Sequence, residues 1–557
     1  MTDLETDIDA AAGSAADPLT ALRIALAEAA TEVRGKPATV ELRLDRPPRA
    51  ELGDFATNTP LMLASGLDDS PHAVAERLGE ALAGRLGADL DRTEVAGPGF
   101  LNLFLADRFW RGALGAMAGA GRDFAAGVAS TAAERMLVEF VSANPTGPIT
   151  VAAARHAAYG DSLCRLLAFA GHAVEREYYV NDAGGQIRRF GESLAARARG
   201  DEPPEDGYRG EYVAELATRI PDAAELPVAE LAAQGVALVL EGARASLGRF
   251  RVDFARFSSE RALHESGAIE RVLEQLGERG HVYASEGASW LRTSDFGDDK
   301  DRVLRRSNGE LTYFAADVAY HAAKRERGPD RVIDVLGADH HGYVDRVRAA
   351  WAALGADPSA LELLIMQLVN LTEGGERVQM SKRGGDFVTL DDLIDDIGVD
   401  AARWFLLERS HDTTLDVDLA LAREQSQENP VYYVQYAHAR IAAILRKAGE
   451  ERLAAVAGAD LAAGTAPLHP SERALTRRLL ELPGEVATAA ARRSPHRLTT
   501  YALELAQEFS AFYRDCRVVG ADEEGGDELF RLTLCHATQA AIARTLDLLG
   551  VEAPETM

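Results

Sequence analysis

Residues 138–161, VEFVSANPTGPITVAAARHAAYGD, constrain the fold of this chain more than any other stretch. Val138 to Val141 is a short apolar run with one embedded carboxylate, Glu139. Asn144, Pro145, Gly147 and Pro148 then punctuate a turn. From Val151 an Ala-rich segment runs unbroken to Gly160, and helical spacing continues through Leu163, Leu166, Leu167 and Ala170. A buried strand that turns straight into a helix aims the helix N–H groups and the positive end of its dipole at whatever lies above the turn, a position suited to phosphate. Many such turns hold no ligand, so the stretch fixes topology better than chemistry.

The same alternation recurs downstream. A strand at 173–180 leads into VNDAGGQI and a long helix. Residues 195–290 break the pattern and read as a mostly helical insertion. It resumes with a strand at 302–305, a Ser307-Asn308-Gly309 turn and the helix YFAADVAYHAAK. A strand at 332–336 precedes GADHHGY and a helix, and a strand at 363–368 precedes the loop VQMSKRGGDFVTL. Alternating strands and helices predict an α/β fold with a parallel sheet and crossover helices. The turns at 142–153, 337–343 and 378–386 should meet beyond the C-terminal strand ends, where such sheets bind ligands.

A chain of 557 residues is too long for one core. Residues 1–17 are acidic and small and read as a disordered tail. Residues 18–112 read as an α+β domain with strand-like segments near 38–44 and 94–105, and 115–133 as a linker or exit helix. The α/β domain is expected over 134–391 and a helical bundle over 392–557, with helices at 431–448, 471–492, 502–516 and 532–550. The stripe aromatics Tyr432, Tyr436, Phe509 and Tyr513 are expected in its core.

Composition narrows the function. The net charge of −28 disfavours non-specific nucleic-acid binding by the molecule as a whole, while leaving room for a local basic face. Lysine occurs only at Lys36, Lys300, Lys324, Lys382 and Lys447, so arginine must make most phosphate contacts, and Lys382 stands out. No apolar run approaches a membrane span, so no membrane association is expected. Cys164, Cys516 and Cys535 are odd in number and unrelated in spacing, which points to a reducing cytoplasm without a disulfide framework or zinc site.

ELGDFATN at 51–58, AGPGFLNLFL at 96–105, VEFVSANPTGP, REYYVNDAGGQI, YFAADVAYH, GADHHGY, MSKR, NPVYYVQYAHARI and LDLLGVEAPETM stand in one order along nearly the whole chain. In that order they resemble the arginyl-tRNA synthetases, a class I aminoacyl-tRNA synthetase family. The resemblance implies an N-terminal tRNA-contacting α+β domain, a Rossmann-like catalytic domain with a helical insertion and a helical anticodon-binding domain. It implies a usually monomeric cytoplasmic enzyme that joins arginine to ATP with Mg²⁺, releases pyrophosphate and passes the arginyl group to tRNA(Arg).

Residue by residue, the resemblance puts Glu139, Tyr313 and Asp317 on the arginine side chain, Asn144 on its amino end and His340 along the same cleft. A carboxylate alone in an apolar strand does need a cationic partner, and Tyr313 and Asp317, four apart, share a helix face. His340 and His341 are adjacent, their side chains diverge and no third ligand is evident, so no metal is expected. Met380-Ser381-Lys382 is similar to the family's KMSK signature with Gln379 at its first lysine, and Lys382 would hold the phosphates.

The other signature, HIGH, is altered. Thr150, Val151, Ala152 and Ala153 fall where His-Val-Gly-His is usual, so both imidazole donors are gone and a methyl group stands where adenine should approach the backbone. Losing one transition-state donor typically lowers a rate by roughly 10²–10³. His156, one turn on, is the nearest imidazole that could replace them. Two expectations therefore compete: an arginine–tRNA ligase that works with an altered signature, and a weakened or repurposed paralogue that senses arginine or tRNA or serves arginyl transfer in another pathway.

Overall fold

The computed structural model describes residues 17–37, 42–129, 132–377, 388–456 and 459–557. Its centre is a five-stranded sheet in the order Leu361–Met366, Arg331–Gly337, Arg135–Glu139, Ala173–Val180, Arg256–Ser259, with every neighbouring pair parallel. The strand that comes first in sequence lies in the middle. The chain winds outward to one side, then crosses back to build the other. This order places a switch point, and hence a crevice, between the C-terminal ends of Arg135–Glu139 and Arg331–Gly337. The middle strand is covered on both faces, which is why its apolar residues run without alternation.

The helix Val151–Ala170 packs back on that strand and is buried almost all round. A Cβ on Gly160 would lie 2.2 Å from the Phe140 ring, so only glycine permits the approach. The turn between strand and helix is strained. Val141 (φ 69°) and Ser142 (φ 38°) both adopt left-handed backbone, which a β-branched residue rarely does. Ser142 is held there by its own hydroxyl, which donates to Glu139 at 2.8 Å and accepts the Tyr179 N–H at 3.0 Å.

A buried ionic knot fixes the sheet to the C-terminal helices. Asp161 pairs with Arg403 at 2.5 Å, Arg176 at 2.7 Å and Arg165 at 2.8 Å. Arg403, fully buried, also donates to the Leu549 and Phe250 carbonyls. Burial alone would raise the Asp161 carboxyl; the three guanidinium groups hold it below its usual value.

Several expectations are corrected. The segment 195–290 is mostly helical, as expected, but it is not a single insertion. The helices Glu211–Arg219 and Val228–Arg249 give way to Arg256–Ser259, which rejoins the main sheet as an edge strand, and then to a small antiparallel sheet of Val282–Ser285, Ala288–Leu291 and Arg302–Arg305. RFSS is short, polar and paired on one side only, so it carries no apolar run to mark it as a strand. The strand 302–305 therefore belongs to that small sheet, not to the parallel one.

In the N-terminal part, 94–105 is a hairpin of Leu90–Ala96 and Phe100–Leu105, bent at the Gly-Pro-Gly between them. The helix Asp107–Ala120 runs across the expected boundary at 112. Buried Arg111 on it reaches Asp527 at 2.5 Å and the Ala466 carbonyl at 2.7 Å in the C-terminal bundle. The 471–492 helix is two, Pro470–Leu480 and Leu482–Ala491. Residues 1–16 of the expected tail and 38–41 of the expected strand lie outside the described residues.

Of the stripe aromatics, only Phe509 is core. Tyr432 and Tyr436 are half-buried and stacked, with ring centroids 6.3 Å apart, and Tyr513 is exposed. The Arg440 guanidinium lies 4.6 Å from the Tyr436 ring and 5.2 Å from the Tyr513 ring. No described helix is long and apolar enough to cross a membrane.

Candidate active site

Three carboxylates stand in register across adjacent strands of the main sheet: Asp334, Glu139 and Glu177. Like charges so placed repel, and one helix answers them. From Tyr313–Glu326 and its C-cap, His321 faces Asp334 at 3.0 Å, Lys324 bridges Glu139 at 2.5 Å and Asp334 at 2.7 Å, and Arg327 takes Glu177 at 2.5 Å. The spacing of three residues keeps all of them on the face toward the sheet. Lys324 is fully buried. Burial opposes its charge, yet Asp334 and Glu139 hold the ammonium above the usual lysine value. Against the same burial, Lys324 and His321 bring Asp334 down to about 2. Glu139 thus has the cationic partner its setting requires, and that partner is the protein's own lysine.

The other end of the same helix opens on the crevice. Tyr313 is 57% exposed, and its hydroxyl sits against Gly184, where a Cβ would stand 3.1 Å away. One turn in, Asp317 accepts the Tyr343 hydroxyl and is raised by burial. Glu260, at the end of the edge strand, is also buried and raised, with the Tyr179 hydroxyl and His264, 3.7 Å away, opposing the shift. The two charges raise each other's cost. Among the described residues neither pairs with a lysine or arginine. Gly184, Glu260, Arg261, Arg305, Arg306 and Tyr313 line a cleft of about 630 Å³ here.

At the switch point lies the 149–153 turn, between the strand Arg135–Glu139 and the helix Val151–Ala170. Thr150 is the N-cap of Val151–Ala170, and its side chain makes no capping bond. The Val151 N–H goes to the Val388 carbonyl at 3.2 Å, and the Leu390 N–H returns to the Ile149 carbonyl at 2.8 Å. The amides of Ala152 and Ala153 precede the first intrahelical bond, from Ala154 to Thr150, and point out of the helix end. Ala152 is exposed and Ala153 half-buried.

His156 sits one turn further along this helix. Burial, then Arg155, lowers its imidazole to about 4. His340 lies nearby on the turn Ala338–Tyr343, about half exposed. Asn144 is exposed and accepts from the Asn181 amide at 3.3 Å. Met380, Ser381 and Lys382 lie outside the described residues.

Tyr313 and Asp317 thus stand on one helix, while Asn144, the 150–153 turn and His340 follow the C-terminal ends of two adjacent strands, Arg135–Glu139 and Arg331–Gly337. Four residues of this region were not singled out from sequence. Lys324 was visible only as a rare lysine, and Tyr343 as the end of GADHHGY. Glu260 sat in a stretch read as insertion. Arg155, buried, donates to the carbonyls of Gln367, Leu368, Ser410 and Thr413 and ties the 151–170 helix to the segments flanking the strand Val369–Glu373.

This sheet order, the strand–turn–helix at its switch point and the helical C-terminal bundle define a class I aminoacyl-tRNA synthetase. Residues 249–442 match the family model for the class I (R) tRNA synthetase catalytic domain, 20–105 that for the arginyl-tRNA synthetase N-terminal domain and 434–557 that for the DALR anticodon-binding domain. The 138–161 turn lies outside these matched stretches. An arginine–tRNA ligase from Frankia alni is 48% identical over 536 residues, 94% of this chain and 95% of that relative. The arginyl-tRNA synthetase of Thermus thermophilus superposes with a TM-score of 0.73 at 26% identity, covering 96% of this chain and 99% of that one. That of Plasmodium falciparum, at 16% identity over 96% and 98% of the two chains, shares the fold with a TM-score of 0.72. The chain belongs to the arginyl-tRNA synthetases.

Proposed function

We propose that this protein activates arginine with ATP and transfers it to tRNA(Arg). The observation that carries this is the pair Asp317, half-buried, and Glu260, buried, two carboxylates that pair with no lysine or arginine among the described residues. Holding such charges costs free energy that a cationic ligand offsets. A guanidinium, planar and with five donors, suits two carboxylates and the neighbouring tyrosine hydroxyls. Tyr313 would cover the side chain and Asn144 meet the amino end. Glu139, already saturated by Lys324 and Ser142, forms the wall behind.

The reaction needs the arginine carboxylate held near the ATP α-phosphate and donors for the charge that moves to pyrophosphate. The Ala152 and Ala153 amides and the Thr150 hydroxyl face that position, His340 lines it and Lys382 would approach from the 378–387 segment. Mg²⁺ would arrive on the ATP phosphates. The Tyr432–Tyr436–Arg440–Tyr513 surface offers stacking faces and a cation to tRNA bases. The enzyme would act as a cytoplasmic monomer.

Charging of tRNA(Arg) with labelled arginine tests this directly. Arginylation that disappears in Asp317→Asn supports it; a natural protein that binds arginine and tRNA but never joins them refutes it. One observation favours the second reading, a repurposed paralogue: the 150–153 turn carries no imidazole, and burial lowers that of His156 to about 4.

A further inference from the structure

We propose that Lys324 is a specificity-determining residue: a built-in ammonium that fills the point-charge site between Glu139 and Asp334, so that only a planar, multi-donor cation finds acceptors in the crevice. This rests on the reading of the crevice as an arginine site.

The site around Lys324 is complete. An ammonium has three donors. Two go to carboxylates on adjacent strands, Glu139 at 2.5 Å and Asp334 at 2.7 Å, and the third side of the group faces the Tyr320 ring, 4.4 Å to its centroid. The side chain is sealed from solvent. Nothing in arginine activation requires a lysine there, since Lys324 does not reach the crevice surface.

Its consequence for a ligand is a matter of charge and shape. Without Lys324, Glu139 would keep only the Ser142 hydroxyl and Asp334 only His321, leaving two carboxylates with no lysine or arginine between them. A compact, strongly hydrated ammonium, as on lysine or ornithine, would then find a buried site of opposite charge. With Lys324 in place that site is taken. The remaining acceptors are Asp317 and Glu260 on separate elements, and a guanidinium, more weakly hydrated and with donors spread over a plane, can address both.

Lys324 also acts as a positioning residue. It holds one Glu139 oxygen while Ser142 donates to the other, and the Ser142 hydroxyl accepts from Tyr179. The chain Lys324–Glu139–Ser142 thereby fixes the left-handed turn that leads to Asn144. Removing the ammonium should loosen the amino-end contact as well as open the ammonium site.

The test compares Lys324→Met with Lys324→Met/Asp334→Asn, in which the buried charge is rebalanced so that the protein folds even where the single variant does not. The readout is the ratio of kcat/KM for arginine to that for lysine in tRNA(Arg) charging, which does not depend on the folded fraction. The ratio is expected to fall about tenfold or more in each variant that folds, mainly through a lower KM for lysine. An unchanged ratio in a folded variant would make Lys324 a structural ion pair and overturn the proposal. Calorimetric Kd values for arginine and lysine read the same ratio without turnover. A natural protein that binds arginine selectively but charges nothing fails as a ligase while still testing Lys324; one that binds neither amino acid overturns both.

Discussion

Tyr343 donates its hydroxyl hydrogen to Asp317, joining the Ala338–Tyr343 turn to the helix Tyr313–Glu326. The bond holds the half-buried carboxylate in place. Asp317→Asn removes a charged acceptor, worth about 1.5–3 kcal/mol, so the KM for arginine should rise roughly 10- to 150-fold. Tyr343→Phe removes a neutral donor and should raise it roughly 2- to 10-fold. Charging rates at varied arginine, with thermal melts to confirm folding, check both values.

Arginine binding should weaken as pH falls. Asp317 and Glu260 both sit above their usual carboxyl values, chiefly through burial. The folded, empty protein therefore holds protons more tightly than the unfolded chain, and these groups destabilise it at neutral pH; that cost is relieved as they protonate on acidification. Bound arginine offsets the cost only while they are charged. The Tm increase produced by arginine should be larger at about pH 7.5 than at about pH 5.5, with the loss beginning above the ordinary carboxylate range. An equal shift at both pH values would remove these two groups from the site.

The Asp161 knot sets the opposite pH dependence. Its carboxyl is held below its usual value by Arg403, Arg165 and Arg176 against burial. It stabilises the fold above the unfolded-state value, and that contribution is lost as pH falls toward the folded one. Asp161→Asn strands the buried Arg403 guanidinium and should cost about 3–5 kcal/mol in urea unfolding at neutral pH, with less further loss on acidification.

The aromatic surface of the C-terminal bundle should matter to tRNA alone. Tyr513→Ala and Arg440→Ala should each weaken tRNA(Arg) binding by about 1–3 kcal/mol and leave the KM for arginine unchanged. A change in arginine KM with tRNA binding intact would contradict this assignment.

The parallel sheet was legible because its buried strands are apolar runs, each broken by one carboxylate and bounded by turn residues, as at Met136–Val141 and Val332–Leu336. The crevice followed from their order. What escaped was carried by long-range partners that no local pattern records. Glu139 announced a need for a cation, but that Lys324, 185 positions on, supplies it depends on how a helix lies across the sheet. Glu260 was hidden because its strand is a polar edge. Tyr513 looked like core because spacing marks a face without saying whether anything covers it. His156 stood out in sequence as the nearest imidazole to Thr150; that burial lowers it to about 4 is a property of the fold.

The most direct measurement is arginine-dependent ATP–pyrophosphate exchange with tRNA(Arg) present, run on the natural protein beside Thr150→His/Ala152→Gly/Ala153→His. If helix amides, Thr150 and Lys382 suffice, the natural protein exchanges within roughly 100-fold of the variant, about the loss of one donor, and the signal requires arginine. If the natural protein shows no exchange while the variant exchanges freely, its ATP chemistry has been dismantled and it is not a working arginine–tRNA ligase.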